Sequence, residues 1–182
     1  MNQTDTTSNA MNAEDATAQR HGGLESLKRH ISGIRFAMMT TVSDDGNLRS
    51  RPMTTQEIGE DGDIWFFTSD DSEVVLEAQR EPAVNLAYSK PDSGLYVSVS
   101  GQAELVKDAA KIKELWNPMV AAYFPKGQDD PNLALLRITA TDAEVWDSPN
   151  SVAKLFNTLK AVVTGGKDNS GTHERIDVVP TT

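Results

Sequence analysis

Apolar positions along the chain switch between two periods, and the switches mark out its elements. Leu24, Leu27, Ile31 and Ile34 recur at three- and four-residue spacing, so Leu24 to Ile34 reads as an amphipathic helix. The period then shortens. Phe36 to Val42 is an apolar, β-prone run, and Asp44-Asp45-Gly46-Asn47 is a turn in which Gly46 adopts positive φ at little cost. Leu48 to Ile58 is a second strand, Gly59-Glu60-Asp61-Gly62 a second turn and Asp63 to Thr68 a third strand, together an antiparallel meander. Asp70 to Arg80 reads as a helix with Val74, Leu76 and Ala78 as its apolar face, and Pro82 separates it from a strand over Ala83 to Tyr88. After a turn from Pro91 to Gly94, Leu95 to Val106 alternates through Tyr96, Val97, Val99 and Ala103, with Gly101 placed as a bulge. Asp108 caps a helix running toward Trp116, and Asn117-Pro118 starts another through Met119 to Phe124. Pro125 to Pro131 is a loop, Leu133 to Ala140 and Glu144 to Trp146 are two more strands, and Asn150 or Ser151 caps a last helix containing Val152, Leu155, Phe156 and Leu159.

The flanks have a different pattern. Residues 1–22 carry almost no large apolar side chains and are expected to be disordered, and 163–182 reads as a flexible tail, leaving one folded domain over 23–162. About six short strands with a few intercalated helices predict a mainly β (α+β) fold, a small antiparallel barrel with helices on its flanks. A doubly wound parallel sheet fits less well, because the first three strands have no helices between them.

Composition narrows the function classes. The 182 residues carry a formal net charge of −10, a sequence pI near 4.7 and no cysteine. An acidic surface without a basic run argues against nucleic acid as a partner, and disulfides, thiolate metal sites and cysteine catalysis are excluded. Residues 1–20 lack the apolar core of a secretory signal, and no apolar run approaches the roughly 20 residues of a membrane span, so a soluble cytoplasmic protein is expected. His21, His30 and His173 have no metal-ligand spacing. Asp129-Asp130 lacks a calcium-loop pattern and reads as a loop cap. Gly165-Gly166-Lys167 is not a P-loop, and no Gly-x-Ser-x-Gly elbow exists. With no acid–base pair or triad, no catalytic or metal residue is assigned.

Candidate chemistry gathers in Arg49-Ser50-Arg51-Pro52-Met53 and, one hairpin later, Trp65-Phe66-Phe67-Thr68-Ser69. Residues two apart in a strand share a face, so Arg49 and Arg51 can reach one anionic group together. Arginine forks with nearby hydroxyls suit a phosphate, and an aromatic wall suits a flat ring. A phosphorylated planar cofactor follows, and flavin mononucleotide (FMN) is the natural candidate. Phe66 and Phe67 alternate, so only one can face a ligand. The bland alternatives stay open: the arginines as solvated surface residues, and Thr68, Ser69 and Ser72 as helix caps.

Seven stretches, in this order and spacing, resemble the FMN-binding split-barrel superfamily of pyridoxamine 5′-phosphate oxidase, within it the general stress protein 26 group of bacteria. They are Met38-Met39-Thr40-Thr41, Arg51-Pro52-Met53, Trp65-Phe66-Phe67-Thr68-Ser69, Tyr96-Val97-Ser98-Val99-Ser100-Gly101, Glu114-Leu115-Trp116, Phe124-Pro125-Lys126-Gly127 with Asp129-Asp130-Pro131, and Glu144-Val145-Trp146-Asp147. The resemblance implies an antiparallel split β-barrel and a homodimer with two flavin sites at the subunit interface. Carried over, Arg51, Thr68, Ser69 and Ser72 are phosphate and ribityl contacts, and Pro52, Met53 and Phe67 are strand edges facing the isoalloxazine. Trp116 and Trp146 are aromatic contributions from the partner chain, and Arg49 joins the set on strand parity alone. Arg51→Ala is therefore expected to weaken flavin binding more than Arg49→Ala. Three departures stand out. The oxidase's Arg-Lys pair after the equivalent of Ser72 is Glu73-Val74 here, its lysine five residues beyond the equivalent of Arg51 is Gln56, and its Arg-containing C-terminal segment is not recognisable after Trp146. Vitamin B6 oxidation is therefore not expected. The expected function is a flavin-binding stress protein, taking FMN or alternatively FAD. The rivals are a flavin-dependent oxidoreductase using a reduced nicotinamide and a cofactor-free dimeric interaction protein on the same fold.

Overall fold

The computed structural model describes residues 22–147 and 172–178. The expected last helix and residues 1–21 lie outside them. Within the described residues a helix, α1, spans 22–31. The strands are β1 (Phe36–Val42), β2 (Leu48–Ile58), β3 (Asp63–Ser69), β4 (Ala83–Lys90), β5 (Leu95–Val106), β6 (Leu133–Asp147) and β7 (Thr172–Asp177), and the remaining helices are α2 (Glu73–Arg80), α3 (Ala109–Leu115) and α4 (Pro118–Tyr123). The strands run in the order β3-β2-β1-β4-β5-β6-β7, and an added pairing of β3 with β6 closes the first six into an antiparallel barrel.

Two expectations change. Leu133–Asp147 is one continuous 15-residue strand rather than two. Its first half closes the barrel against β3 while its second half pairs with β7, and β5 supports it along its length. Part of the expected tail is the strand β7, which adds to the sheet beyond the barrel. Its one buried apolar residue, Ile176, with Val178 just beyond the strand, lies among charges, too brief a pattern to stand out in the sequence.

Gly101 does mark a bulge. The register steps from Ser100↔Asp142 to Gly101↔Ala140, leaving Thr141 extra on β6. A Cβ at Gly101 would lie 2.7 Å from the Thr139 carbonyl oxygen and 2.8 Å from Ile138 Cγ2, so the strands cross too closely there for a side chain.

The barrel interior is the main core. Ala37, Met39, Ile64, Phe66, Leu86, Tyr88, Val97, Val99, Leu136 and Ile138 fill it. The Tyr88 hydroxyl meets Thr55 Oγ1 at 3.0 Å, and burial pushes its pKa up to about 12 against that bond's opposing effect. The two ends are closed by helices. Leu24, Leu27 and Ile31 of α1 join the core near the β2–β3 turn, where Leu24 packs against Gly62. Val74 and Val75 of α2 join it at the other end, where Arg80 reaches the Val42 carbonyl. The apolar face of α2 is Val74, Val75 and Ala78, and Leu76 faces outward, 56% exposed. A second, smaller core lies outside the barrel, where Ile112 of α3 and Val120 of α4 cover Phe67, Leu133 and Leu135. No helix among the described residues is long and apolar enough to cross a membrane.

Candidate functional site

Strand parity decides what surrounds β2. Cross-strand partners share a face, so the pairings Thr41↔Arg49, Met39↔Arg51 and Ala37↔Met53 put these three β2 residues on the inner side with buried β1 residues. Ser50, Pro52 and Thr54 alternate to the outer side, opposite Thr40, Met38 and Phe36.

A cavity of about 260 Å³ opens on the outer side, between β2 and α4. Pro52, Thr54 and Gln56 line one wall with Phe36 and Phe67, and Met119, Val120, Tyr123 and Phe124 line the other; Met53 contributes from the strand edge. Phe67 is the ring that faces this side, while Phe66 is wholly buried inside the barrel. Trp116 stands edge-on to Phe67 with centroids 5.8 Å apart, and Phe124 lies 6.1 Å away, tilted. Such contacts hold the Phe67 ring in one orientation. The N-terminus of α4 is tied to the same strand. Asn117 caps it by accepting from the Met119 and Val120 amides and donates to Gln56 Oε1 at 3.0 Å. Gln56, which stands where the oxidase has lysine, thus anchors the helix that roofs the cavity.

The inner side is ionic. Arg51 Nη2 donates to the Glu77 carboxylate at 2.7 Å, and Thr41 Oγ1 donates to the same carboxylate at 2.5 Å. Arg49 lies 4.0 Å from Glu77 and 3.8 Å from Glu73. The two arginines do reach one anionic group together, and that group is the chain's own Glu77. Its side chain is only 6% exposed. Burial alone would raise its pKa, but the hydrogen bonds from Thr41 and Arg51, with the charges of both arginines, hold it below its ordinary value of 4.5.

The hydroxyls cluster at the junction of β3 and α2. Thr68 is buried and its Oγ1 lies 2.9 Å from Ser72 Oγ. Ser72 occupies the N-cap of α2 without a side-chain capping bond, and Ser69 Oγ donates to Asp71 at 2.5 Å. Trp146 lies elsewhere. It stacks on His173 at 5.1 Å and pairs across the sheet with Tyr96. Phe67 faces Leu135 on β6, eleven residues before Trp146, and Trp146 is not among the residues lining the cavity.

The structure therefore groups Pro52, Met53 and Phe67 at the cavity with Trp116 behind them, Arg49 and Arg51 at Glu77, Thr68, Ser69 and Ser72 at the start of α2, and Trp146 apart. Sequence reasoning left Thr41 and Glu77 out of the site, along with the α4 wall of Met119, Tyr123 and Phe124. A signal existed for Glu77: a carboxylate three residues after Val74 and one before Ala78 falls within the apolar stripe of its helix. Asp130 does cap its loop, accepting from the Asn132 amide at 3.1 Å. Among the described residues no group of three or more His, Cys, Asp or Glu side chains could hold a metal ion.

Comparison with known proteins agrees with this architecture. The model of the pyridoxamine 5′-phosphate oxidase like family matches residues 23–169. Protein bli-3 of Neurospora crassa is 27% identical over 153 residues, covering 78% of this chain and 73% of that protein. The general stress FMN/FAD binding protein of Xanthomonas citri superposes with a TM-score of 0.61 at 37% identity, over 70% of this chain and 89% of that one. General stress protein 26 of Bacillus anthracis shares the fold with a TM-score of 0.59 at 22% identity, over 67% and 92% of the two chains. With the closed six-stranded barrel and a family match across most of its length, the chain belongs to the pyridoxamine 5′-phosphate oxidase-like family.

Proposed function

We propose that this chain is a flavin-binding protein whose site lies at a homodimer interface, with the isoalloxazine in the cavity between β2 and α4. The observation that carries this reading is the apolar, aromatic cavity on the outer face of β2, lined by Pro52, Met53, Phe67, Tyr123 and Phe124. Its chemistry suits a flat, largely apolar ring, and strand-edge backbone at Pro52 and Met53 can meet polar ring atoms. At about 260 Å³ it falls just under the ~300–1,000 Å³ of typical small-molecule pockets, which is what half of a shared site would offer.

The other half is a second copy of the chain. The outer sheet face beside the cavity exposes Phe36, Met38, Tyr96 and Trp146 at 51%, 42%, 47% and 39%. Rows such as Pro52–Met38–Ala87 and Tyr96–Trp146 run across its strands. An apolar face of this kind marks an association surface, and Trp146, exposed on it and absent from the cavity lining, would reach a shared flavin from the partner copy. The hydroxyls of Thr68, Ser69 and Ser72 mark the phosphate and ribityl end, and Arg51, held by Glu77 of the α2 helix that Ser72 precedes, is the cation assigned to it. The flavin supplies redox capacity; the protein supplies orientation and access. The Xanthomonas citri relative, named as an FMN/FAD binding protein, supports the same cofactor class here.

The test is titration of the purified protein with FMN and with FAD, read by flavin fluorescence, alongside light scattering for mass. Saturable quenching at low-micromolar or tighter affinity, one flavin per chain in a particle of twice the chain mass, is the expected result. No saturation up to about 100 µM corresponds to less than ~5.5 kcal/mol of binding and would remove the flavin reading, leaving a cofactor-free dimer.

A further inference from the structure

The arginine that the flavin reading places at the phosphate is already engaged. Arg51 donates to Glu77 at 2.7 Å, Thr41 completes the carboxylate's shell, and Arg49 bridges Glu77 and Glu73 at 4.0 and 3.8 Å. Two positive and two negative charges cancel in this group. The cleft beside Arg49 is lined by Asp44, Asp45, Glu73 and Glu77, so the approach to the arginines is acidic as well. Nearby cations do not compensate: Arg80 pairs with Asp44, and Lys107 pairs with Asp70 in the β3–α2 loop. A terminal phosphate on Arg51 would bring a dianion against a buried carboxylate, and like charges at such range in a part-desolvated site repel strongly.

We propose that Glu77 sets which flavin this site accepts: by holding Arg51 it withdraws the charge that a terminal phosphate needs, so the site scarcely distinguishes FMN from phosphate-free riboflavin. The inference rests on the flavin reading above but concerns only its phosphate end. Glu77 is a specificity residue acting through Arg51, not a group that touches the ring. Near-isosteric Glu77→Gln keeps an oxygen for Thr41 and Arg51 to donate to while removing the competing charge, which leaves the group net positive.

The experiment compares dissociation constants for FMN and riboflavin, by fluorescence quenching, in the wild-type chain and in Glu77→Gln. The wild type should bind the two flavins within about threefold of one another. The variant should gain about tenfold or more for FMN while riboflavin stays within about twofold, a change of ~1.4 kcal/mol confined to the phosphate. A wild type that prefers FMN by about a hundredfold overturns it, whether or not the variant folds, as does a variant with unchanged or weakened FMN affinity, since Glu77 would then be orienting Arg51 onto the phosphate. Failure of the wild type to bind either flavin overturns the flavin reading itself and the inference with it, whatever the variant does.

Discussion

The two faces of β2 solve different problems with alternate residues of one short segment. Inward, Arg49 and Arg51 close a charge group against α2; outward, Pro52 and Thr54 floor an apolar cavity under α4. The inner face is finished within one chain, every strong charge having a partner. The outer face is unfinished, with a cavity open on one side and exposed aromatic residues beside it. The lesson is that an Arg-Ser-Arg-Pro segment does not present one surface. Its charges and its apolar surface are divided by the pleat.

The largest effect expected is at the seam of the outer face. Phe67 packs against Trp116, Phe124, Leu133 and Leu135, so Phe67→Ala should cost about 3–5 kcal/mol in urea unfolding and abolish flavin binding together. Loss of flavin affinity with stability intact would mean that Phe67 serves the ligand and not the second core. Next comes the inner face. Arg51→Ala strands Glu77 with Thr41 and a distant Arg49, and should cost about 3 kcal/mol. Arg49→Ala, whose side chain is half exposed, should cost under ~1 kcal/mol. Adding Glu77→Gln to Arg51→Ala should restore much of the loss, because the buried charge is gone. Equal single-mutant losses at Arg49 and Arg51 would break the picture of one buried pair with an exposed auxiliary.

Acid should sharpen the same contrast by a smaller amount. The Glu77 carboxyl titrates below 4.5 in the folded chain, so the unfolded chain binds the proton first. Its stabilising contribution is complete above about pH 4.5 and is lost as pH falls through the depressed folded value. Urea midpoints of wild type and Glu77→Gln should therefore lie furthest apart near neutrality and converge on acidification. A gap that stays constant down to about pH 3 would show that Glu77 is protonated throughout or that its charge contributes nothing.

Much of the barrel was legible in the sequence because local signals agreed with tertiary structure. The meander from Phe36 to Ser69 has turn glycines at Gly46 and Gly62, both with positive φ, and its first strand, β1, alternates buried and more exposed residues. Asp108 and Asn117 cap α3 and α4 as their side-chain chemistry dictates. The long strand β6 was not legible as one element, since its middle, Ala140 to Ala143, is read through a bulge opposite Gly101 that breaks alternation. At the site, parity correctly placed Arg49 and Arg51 on one face. It could not supply their partner, because Glu77 is 26 residues beyond Arg51 and arrives through the packing of α2 on the barrel end. The α4 wall was hidden for the same reason: Met119 and Tyr123 read as ordinary helix residues until Gln56 and Asn117 fix where that helix lies.

Tyr123 offers the smallest effect and the cleanest separation of ligand from fold. Its side chain lines the cavity yet is 69% exposed, and α4 itself buries only Val120 fully. Tyr123→Ser therefore removes a ring that packs against little of the chain's own structure, and stability should change by less than about 0.5 kcal/mol. A flavin in the cavity would lose one aromatic wall, so affinity should fall about three- to tenfold, corresponding to roughly 0.7–1.4 kcal/mol, with FMN and riboflavin affected alike. The equality matters, because a ring contact is blind to the phosphate while Glu77→Gln acts on the phosphate alone. If Tyr123→Ser spared both affinities, the ring would lie outside this cavity, and the gap between β2 and α4 would be a packing void. If it weakened FMN and spared riboflavin, the two faces of β2 would not be independent, and the division of charge from ring platform drawn above would fail.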